Sequence, residues 1–523
     1  MSSLLKMMMW VLSSGMTMKI NDQLIKIEEP SLEFGYSQKS EFAKDGLLLF
    51  GPPSESSQPT TIRYGLIGTT KGIDLFSKWL RRINGVIPSA NPDKAHFQYW
   101  PGFSAVFNAS WPNEPVAKYT IDEKVISHTV RLEDRHHAIY KTAGIIEKLI
   151  TKHVREEDRQ PDVWFIVIPD EVFIYGRPKS SVPTSIRESS GSTLGKKAAN
   201  KFLKYGDLFD DFTDEAKIYQ FDLDFHAQLK ARLLGKAVLQ IVRESTLAGG
   251  EYLENGQIKS RQMQDWATTA WNLCTTAYFK SQGSPWRLAN VREGVCYIGL
   301  VYKRDETQAT HENVCCGAQM FLNSGDGVVF RGAMGPWASS DNREFHLSES
   351  AAESLMKTVL DAYILKHEKA PKEVFIHGRT NFNNEEWSGF TKATPDGTQL
   401  TGVKIQKSNR LKVYRSGRKP LVRGTAWIIG DRKAYLWTSG YIPRLATYPG
   451  WEVPNPLEVD IQRGEGDIHT ILKDVLGLTK LNYNACLFGD SRPVTLRFAD
   501  IVGNILTATP DKEHPPLPFR FYI

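Results

Sequence analysis

Apolar residues recur at helical spacing across residues 136–154, where Ile139, Ala143, Ile146, Leu149, Ile150 and Val154 share one face. Val163–Ile168 (VWFIVI) follows as an unbroken apolar run closed by Pro169. A run with no polar face predicts a strand covered on both sides, as in a parallel sheet under helices. Residues 224–234 predict a helix with Asp224 as N-cap and Gly235 as its stop. Residues 238–242 predict the next strand. Helix, strand, helix, strand is the order of a Rossmann-like α/β unit.

The second half has a different rhythm. Residues 295–303, 314–322 and 327–331 are strand-like, and Asn323-Ser-Gly-Asp-Gly327 reads as a hairpin turn. Residues 348–367 predict a long helix. Ser350 and Glu353 fit a capping box, and Leu355, Val359, Ala362 and Leu365 mark the apolar face. A strand at 374–376 comes next. Three strands, a helix and a strand is the order of an RNase H-like domain.

Composition sets the bounds. The chain has 523 residues, 41% apolar and 24% charged, which excludes wholesale disorder and suggests a few domains. The net charge of +6 permits a nucleic-acid partner without arguing for one. Five cysteines with no CxxC pair exclude a disulfide framework and a structural zinc site, leaving small buried thiols in a reducing cytosol. No apolar run approaches the roughly 20 residues that span a bilayer. Six of the ten methionines fall at positions 1, 7, 8, 9, 16 and 18, so residues 1–18 read as a disordered leader. Residues 177–200, rich in Ser, Gly, Pro and Lys, read as a mobile basic loop.

Three features bear on chemistry. His226 and Lys230 are one helical turn apart, with Gln240 on the next strand and Lys280 after an aromatic-rich segment. Converging, they would make a phosphate pocket, with ammonium charge and directional donors. By spacing alone, the His226/Lys230 pair reads as a solvated helix face. Next, eight cations crowd residues 401–425 with no acid among them: Lys404, Lys407, Arg410, Lys412, Arg415, Arg418, Lys419 and Arg423, with Tyr414 interleaved. That suits a nucleic-acid backbone or a solvated basic loop. The third feature is an absence. RNase H-like nucleases hold two divalent ions with carboxylates on two strands. The segments Cys296-Tyr-Ile-Gly-Leu-Val-Tyr-Lys303 and Val374-Phe-Ile-His-Gly-Arg379 contain none. Glu293 and Asp305 only flank the first, and Asp500 stands alone. No P-loop, GxSxG, HExxH or strand-linked GxGxxG occurs.

Together these residues resemble a prokaryotic Argonaute of the short class, made of MID and PIWI domains without N or PAZ domains. The resemblance is carried by His226-Ala-Gln-Leu-Lys-Ala-Arg232, Gln240, Tyr278-Phe-Lys280, Gly283-Ser-Pro-Trp286, Tyr297-Ile-Gly-Leu300 and Arg497-Phe-Ala-Asp500. Arg243-Glu-Ser-Thr-Leu247, Glu452-Val-Pro-Asn-Pro456 and Leu478-Thr-Lys-Leu-Asn-Tyr-Asn-Ala-Cys486 are similar to the Argonaute subunit of the TIR–APAZ defence system, SPARTA. The resemblance implies a Rossmann-like MID domain at 19–284 and an RNase H-like PIWI domain at 285–523. It implies that His226, Lys230, Gln240 and Lys280 bind the 5′ phosphate of a guide RNA. A Mg²⁺ ion would bridge that phosphate and the carboxylate of Ile523. The catalytic tetrad would be degenerate, with Val301 (or Leu300) and Gly378 at two aspartate positions and only Asp500 kept. The implied function is a cytoplasmic, non-cleaving sensor of single-stranded target DNA in anti-plasmid and anti-phage immunity. It would form a heterodimer with a TIR–APAZ protein, which on target binding oligomerises and becomes an NAD(P)ase. The alternatives are a Sir2–APAZ or nuclease–APAZ partner, an active guide-dependent nuclease, and a guide-free phosphate-binding module.

Overall fold

The computed structural model describes residues 23–523 except 55–57, 192–193, 206–212, 255–256, 291, 305–313, 322–326, 336–345 and 511–514. The expected leader, Asp305 and most of the turn at 323–327 therefore lie outside the described residues.

Every residue of Val163–Ile168 is buried in a strand. Val163, Phe165 and Val167 pack with Phe76, Trp79 and Leu80. Trp164, Ile166 and Ile168 point the other way, onto Ile139, Ala143, Ile146 and Ile150. The period of two is present, but both faces are apolar, so no polar residue marks it. The strand belongs to a parallel four-stranded sheet ordered Ala117–Thr120, Tyr64–Gly68, Val163–Ile168, Leu239–Arg243. The helix Arg135–Glu156 covers one face and Thr70–Ile83 the other. The helix Phe225–Arg232 starts where expected: the Asp224 carboxylate accepts from the Ala227 amide at 2.9 Å. Such a cap contributes about 1 kcal/mol. Gly235 follows at φ +74°, a conformation that suits glycine at a helix end.

The segment 177–200 has more regular structure than a mobile loop. Thr184–Ile186 forms a 3₁₀ turn, Glu188 bridges to Leu132, and the helix Lys196–Tyr205 begins inside it. Ala199, Phe202 and Leu203 of that helix pack on Ala216 and Tyr219, an apolar face masked by the surrounding Ser and Lys.

A ten-stranded sheet dominates the second half. Its order is Gln23–Lys26, Thr425–Ile428, Lys433–Leu436, Leu457–Arg463, Gln399–Lys407, Glu373–Gly378, Val295–Arg304, Val314–Phe321, Gly327–Gly335, Leu517–Pro518. Val295–Arg304 pairs antiparallel with Val314–Phe321 and parallel with Glu373–Gly378, the RNase H-like arrangement. The helix Glu349–His367 covers one face through Leu355 and Val359. Its cap is Ser348, which accepts from the Ala351 amide at 3.3 Å, not the expected Ser350. Leu365 is 86% exposed, so the apolar face is narrower than its spacing suggests.

The two ends of the chain tie the halves together. Gln23–Lys26, inside the expected MID range, pairs instead with Thr425–Ile428 of the large sheet. Just beyond it, Glu29 is held by Arg423 at 3.0 Å and Lys480 at 2.6 Å. Burial alone would raise this carboxyl, but the two cations outweigh it and hold it below its usual range. At the opposite edge, Leu517–Pro518 pairs with Val328–Val329. One apolar core runs from Leu66 and Phe165 through Trp271 and Tyr297 to Ile523. Cys274, Cys296 and Cys486 are free and buried. No helix among the described residues is long and apolar enough to cross a membrane.

Candidate nucleic-acid interface

Lys230 does not lie on a solvated helix face. It is 3% exposed, and its Nζ donates to the Tyr522 carbonyl at 2.9 Å and to a main-chain oxygen of Ile523 at 2.7 Å. The apolar tail is what brings those oxygens there: Phe519, Tyr522 and Ile523 are buried in the shared core. Lys280 ends the helix Trp266–Lys280 and is 2% exposed. Its Nζ donates to the Leu239 carbonyl at 2.7 Å and to Gln240 Oε1 at 2.8 Å. His226, one turn before Lys230, keeps its ring open to solvent.

The structure thus brings His226, Lys230, Gln240, Lys280 and Ile523 together. Burial brings Lys230 down to about 7. Burial and then the charge of Lys230 push Lys280 well below its usual value. Surrounding protein, then the charges of Lys230 and Lys280, lower His226 as well. Two lysine side chains share one desolvated place, and among the described residues no side-chain carboxylate pairs with either. Buried charge without a counter-charge is costly unless an anion arrives. The expected carboxylate of Ile523 already accepts from Lys230 at 2.7 Å, so it answers only one of the two lysines. A divalent cation held by it would need its remaining ligands from phosphate oxygens and water, since hard cations take several oxygens. Among the described residues, no group of three or more His, Cys, Asp or Glu is placed to hold a metal ion.

His226 opens into a cavity of about 530 Å³ that Arg177, Phe173, Arg243 and Asn504 also line. Sequence reasoning missed Phe173 and its two arginines. The Arg177 and Arg243 guanidinium carbons lie 3.7 and 4.0 Å from the Phe173 ring centre. Asp170 anchors Arg243 Nε at 2.8 Å. Phe173 and Arg177 are four residues apart, but only the fold brings Arg243 to the same ring.

The helix Ala499–Leu506 connects this cavity to the second region. Ile501, Asn504 and Ile505 line the cavity, while Asp500 starts the helix and faces Arg379. Arg379 donates to both Asp500 oxygens, at 2.8 and 3.2 Å. That bond, with the charges of Arg379, Arg492 and Lys303, holds the carboxyl below its usual range. Gly378 ends its strand beside Lys404, and Val301 stands opposite Gly317. Glu293 is exposed. Arg379 is the feature the sequence reading passed over, although it directly follows Gly378.

The basic run divides. Arg423 is 4% exposed and bonded to Glu29 and Thr479, so it is withdrawn from any nucleic-acid surface: its neighbours form a buried ion network. Lys404 donates to Asn381 at 2.9 Å, Lys412 to the Val453 carbonyl at 2.8 Å, and Lys419 to the Tyr441 hydroxyl at 2.6 Å. Lys407, Arg410, Arg415 and Arg418 are exposed.

No protein-family model and no curated protein matches the chain. Solved structures do. The Clostridium butyricum Argonaute, bound to a guide DNA with a 5′ deoxycytidine and a 19-mer target DNA, matches with a TM-score of 0.60 at 14% identity. That match covers 94% of this chain and 54% of the other. Aa-Ago with externally bound siRNA gives a TM-score of 0.54 at 14% identity, over 95% of this chain and 56% of the other. The A. aeolicus Argonaute gives 0.52 at 14%, over 94% and 54%. The chain spans about half the length of these neighbours. At such identity the likeness is one of fold: the chain has an Argonaute fold, laid out as MID and PIWI lobes.

Proposed function

We propose that this protein is a guide-dependent nucleic-acid sensor that does not cut its target. The observation that carries the reading is the convergence of His226, Lys230, Gln240, Lys280 and the Ile523 end on one buried, anion-deficient place. A terminal phosphate brings about −1.5 to −2 charges and acceptor oxygens, which is what two desolvated lysines lack. The guide is a 5′-phosphorylated short RNA and the target a complementary single-stranded DNA. Base pairing reads sequence while the protein holds backbone and duplex shape. The Ile523 carboxylate would hold a Mg²⁺ ion, which would supply neutralising charge beside the guide phosphate.

At Asp500, the cation in place is a guanidinium. Arg379 occupies both carboxylate oxygens, and Gly378 offers no second acid. This supports a sensor without slicing. The output passes to a separate cytoplasmic TIR–APAZ protein, whose assembly and NAD(P)ase activity follow target pairing. Such coupling requires a target-bound state that favours the partner's oligomer contacts over the guide-only state.

The test is to purify the protein with the partner encoded beside it and sequence the bound nucleic acid, for wild type and Lys230→Glu. Short 5′-phosphorylated RNAs in wild type, lost in the variant, are expected. Short DNAs would change the guide class, and no nucleic acid in either would sink the sensor. Guide-loaded protein with labelled target and Mg²⁺ or Mn²⁺ should yield no cleavage product.

A further inference from the structure

Trp451 is fully exposed, at 104%, and Tyr414 is 75% exposed. Large aromatic rings left in water by a chain with a continuous core call for an explanation. Neither ring is isolated. Both line one cleft together with Arg415, Arg418 and Lys419. Trp451 also lines the adjoining cleft, with Lys407 and Arg492. Arg492 in turn lies close enough to Asp500 to lower its carboxyl, in company with Arg379 and Lys303. Glu452, an acid between the clefts, is shared by both.

The order of features therefore runs from the His226 cavity, along the helix Ala499–Leu506, to Arg379 and Asp500, then Arg492 and Lys407, and ends at Trp451 and Tyr414. Cations mark the track and aromatic rings mark its end. Cations spaced along a groove follow a phosphate backbone. Exposed rings among them offer faces on which unpaired bases stack, whatever their identity. Paired bases in a duplex have no free face to give. An acidic protein segment would satisfy the cations but leave the rings in water.

We propose that Trp451 and Tyr414 form a stacking platform for unpaired bases of a single strand. It lies at the end of the cationic track that is remote from the phosphate pocket. In the sensor reading, that strand is the nucleic acid running on beyond the guide's 5′ region, and to that extent the assignment rests on the proposed function. The platform itself requires only a single strand, so the two can be separated.

The experiment measures binding of a labelled, unphosphorylated oligothymidine to the full-length protein, beside an abasic strand of equal length. The abasic strand keeps the charges and removes the stacking. Wild type should bind oligothymidine roughly 10-fold more tightly than the abasic strand, the scale of one stacked base. Trp451→Ala should abolish that preference, and Trp451→Phe should keep most of it. Because Trp451 is fully exposed, its loss leaves folding intact, which a melting curve verifies. Lys230→Glu should lose 5′-phosphorylated guide yet keep the oligothymidine preference. Equal binding of both strands by wild type overturns the platform while leaving guide loading standing. Trp451-dependent binding of a polyglutamate peptide, without the oligothymidine preference, also overturns it and gives the surface to a protein partner. A Trp451-dependent preference in a protein that loads no guide retains the platform and removes the sensor.

Discussion

The proposed phosphate pocket and the Asp500 region are both built from cations around one carboxyl group, and they do opposite things with it. In the pocket, Lys230 and Lys280 are 3% and 2% exposed and lean on carbonyl oxygens and an amide. Around Asp500, Arg379 is partly solvated and saturates the carboxylate through two hydrogen bonds. The first arrangement is short of negative charge where water cannot supply it. In the second, the one carboxylate is already bonded and the surroundings are wet. A site is identified by this unmet electrostatic demand more than by the number of cations in it. The Glu29–Arg423–Lys480 cluster shows the third outcome, buried and satisfied, and it serves the fold.

The largest effect should come from that buried cluster. Glu29→Ala leaves two buried cations unpaired, and denaturant unfolding should show a loss of about 3–5 kcal/mol. A loss near that of a surface pair would mean that burial is not what separates the clusters. Next comes the pocket. Lys230→Glu should weaken binding of a 5′-phosphorylated oligonucleotide roughly 100-fold, about 2.7 kcal/mol, while an unphosphorylated one changes little. Equal losses for the two ligands would show that the pocket does not read the phosphate.

pH sharpens the contrast further. Burial lowers Lys230 from the ordinary 10.5 to about 7 in the free protein. Phosphate binding needs the ammonium, so above pH 7 binding must take up a proton. Affinity for the 5′-phosphorylated strand should fall by up to about tenfold per pH unit there. Stability moves the other way. The unfolded chain keeps that proton between about 7 and 10.5, so this lysine's contribution rises with pH through that window and is least below 7. A flat affinity profile would place the charge elsewhere. The smallest effect belongs to Arg379→Ala, which breaks a half-exposed pair and should cost under about 1 kcal/mol by thermal melting. A large loss would show that the Asp500 region is as desolvated as the pocket.

Much of the scaffold was legible because its signals are local. The apolar run Val163–Ile168, the Asp224 cap and the strand-helix-strand order after residue 295 each depend on neighbours in sequence. Other elements were hidden. Tyr64–Gly68 has two glycines in five residues, which dilutes its strand pattern. Gly65 is there because Trp164 packs on it: a Cβ would sit 2.4 Å from that indole. Gly299, inside Tyr297-Ile-Gly-Leu300, is similarly dictated, since a Cβ would meet the Thr495 carbonyl at 2.0 Å. In the site, Lys230 and Lys280 could be named from sequence but not distinguished from surface lysines. Arg379, Arg492 and Trp451 gave no linear signal.

The sequence alone determined the α/β alternation, the switch to an RNase H-like strand order and the lack of carboxylates in residues 296–303 and 374–379. These are matters of periodicity and residue type, which the chain carries along its length. Tertiary structure decided which cations matter. It buried Arg423 among acids and carbonyls, left Arg415 and Arg418 in water, and carried Ile523 across the chain to Lys230. A charge's role depends on its desolvation and its partners, and both arise only when distant segments pack together.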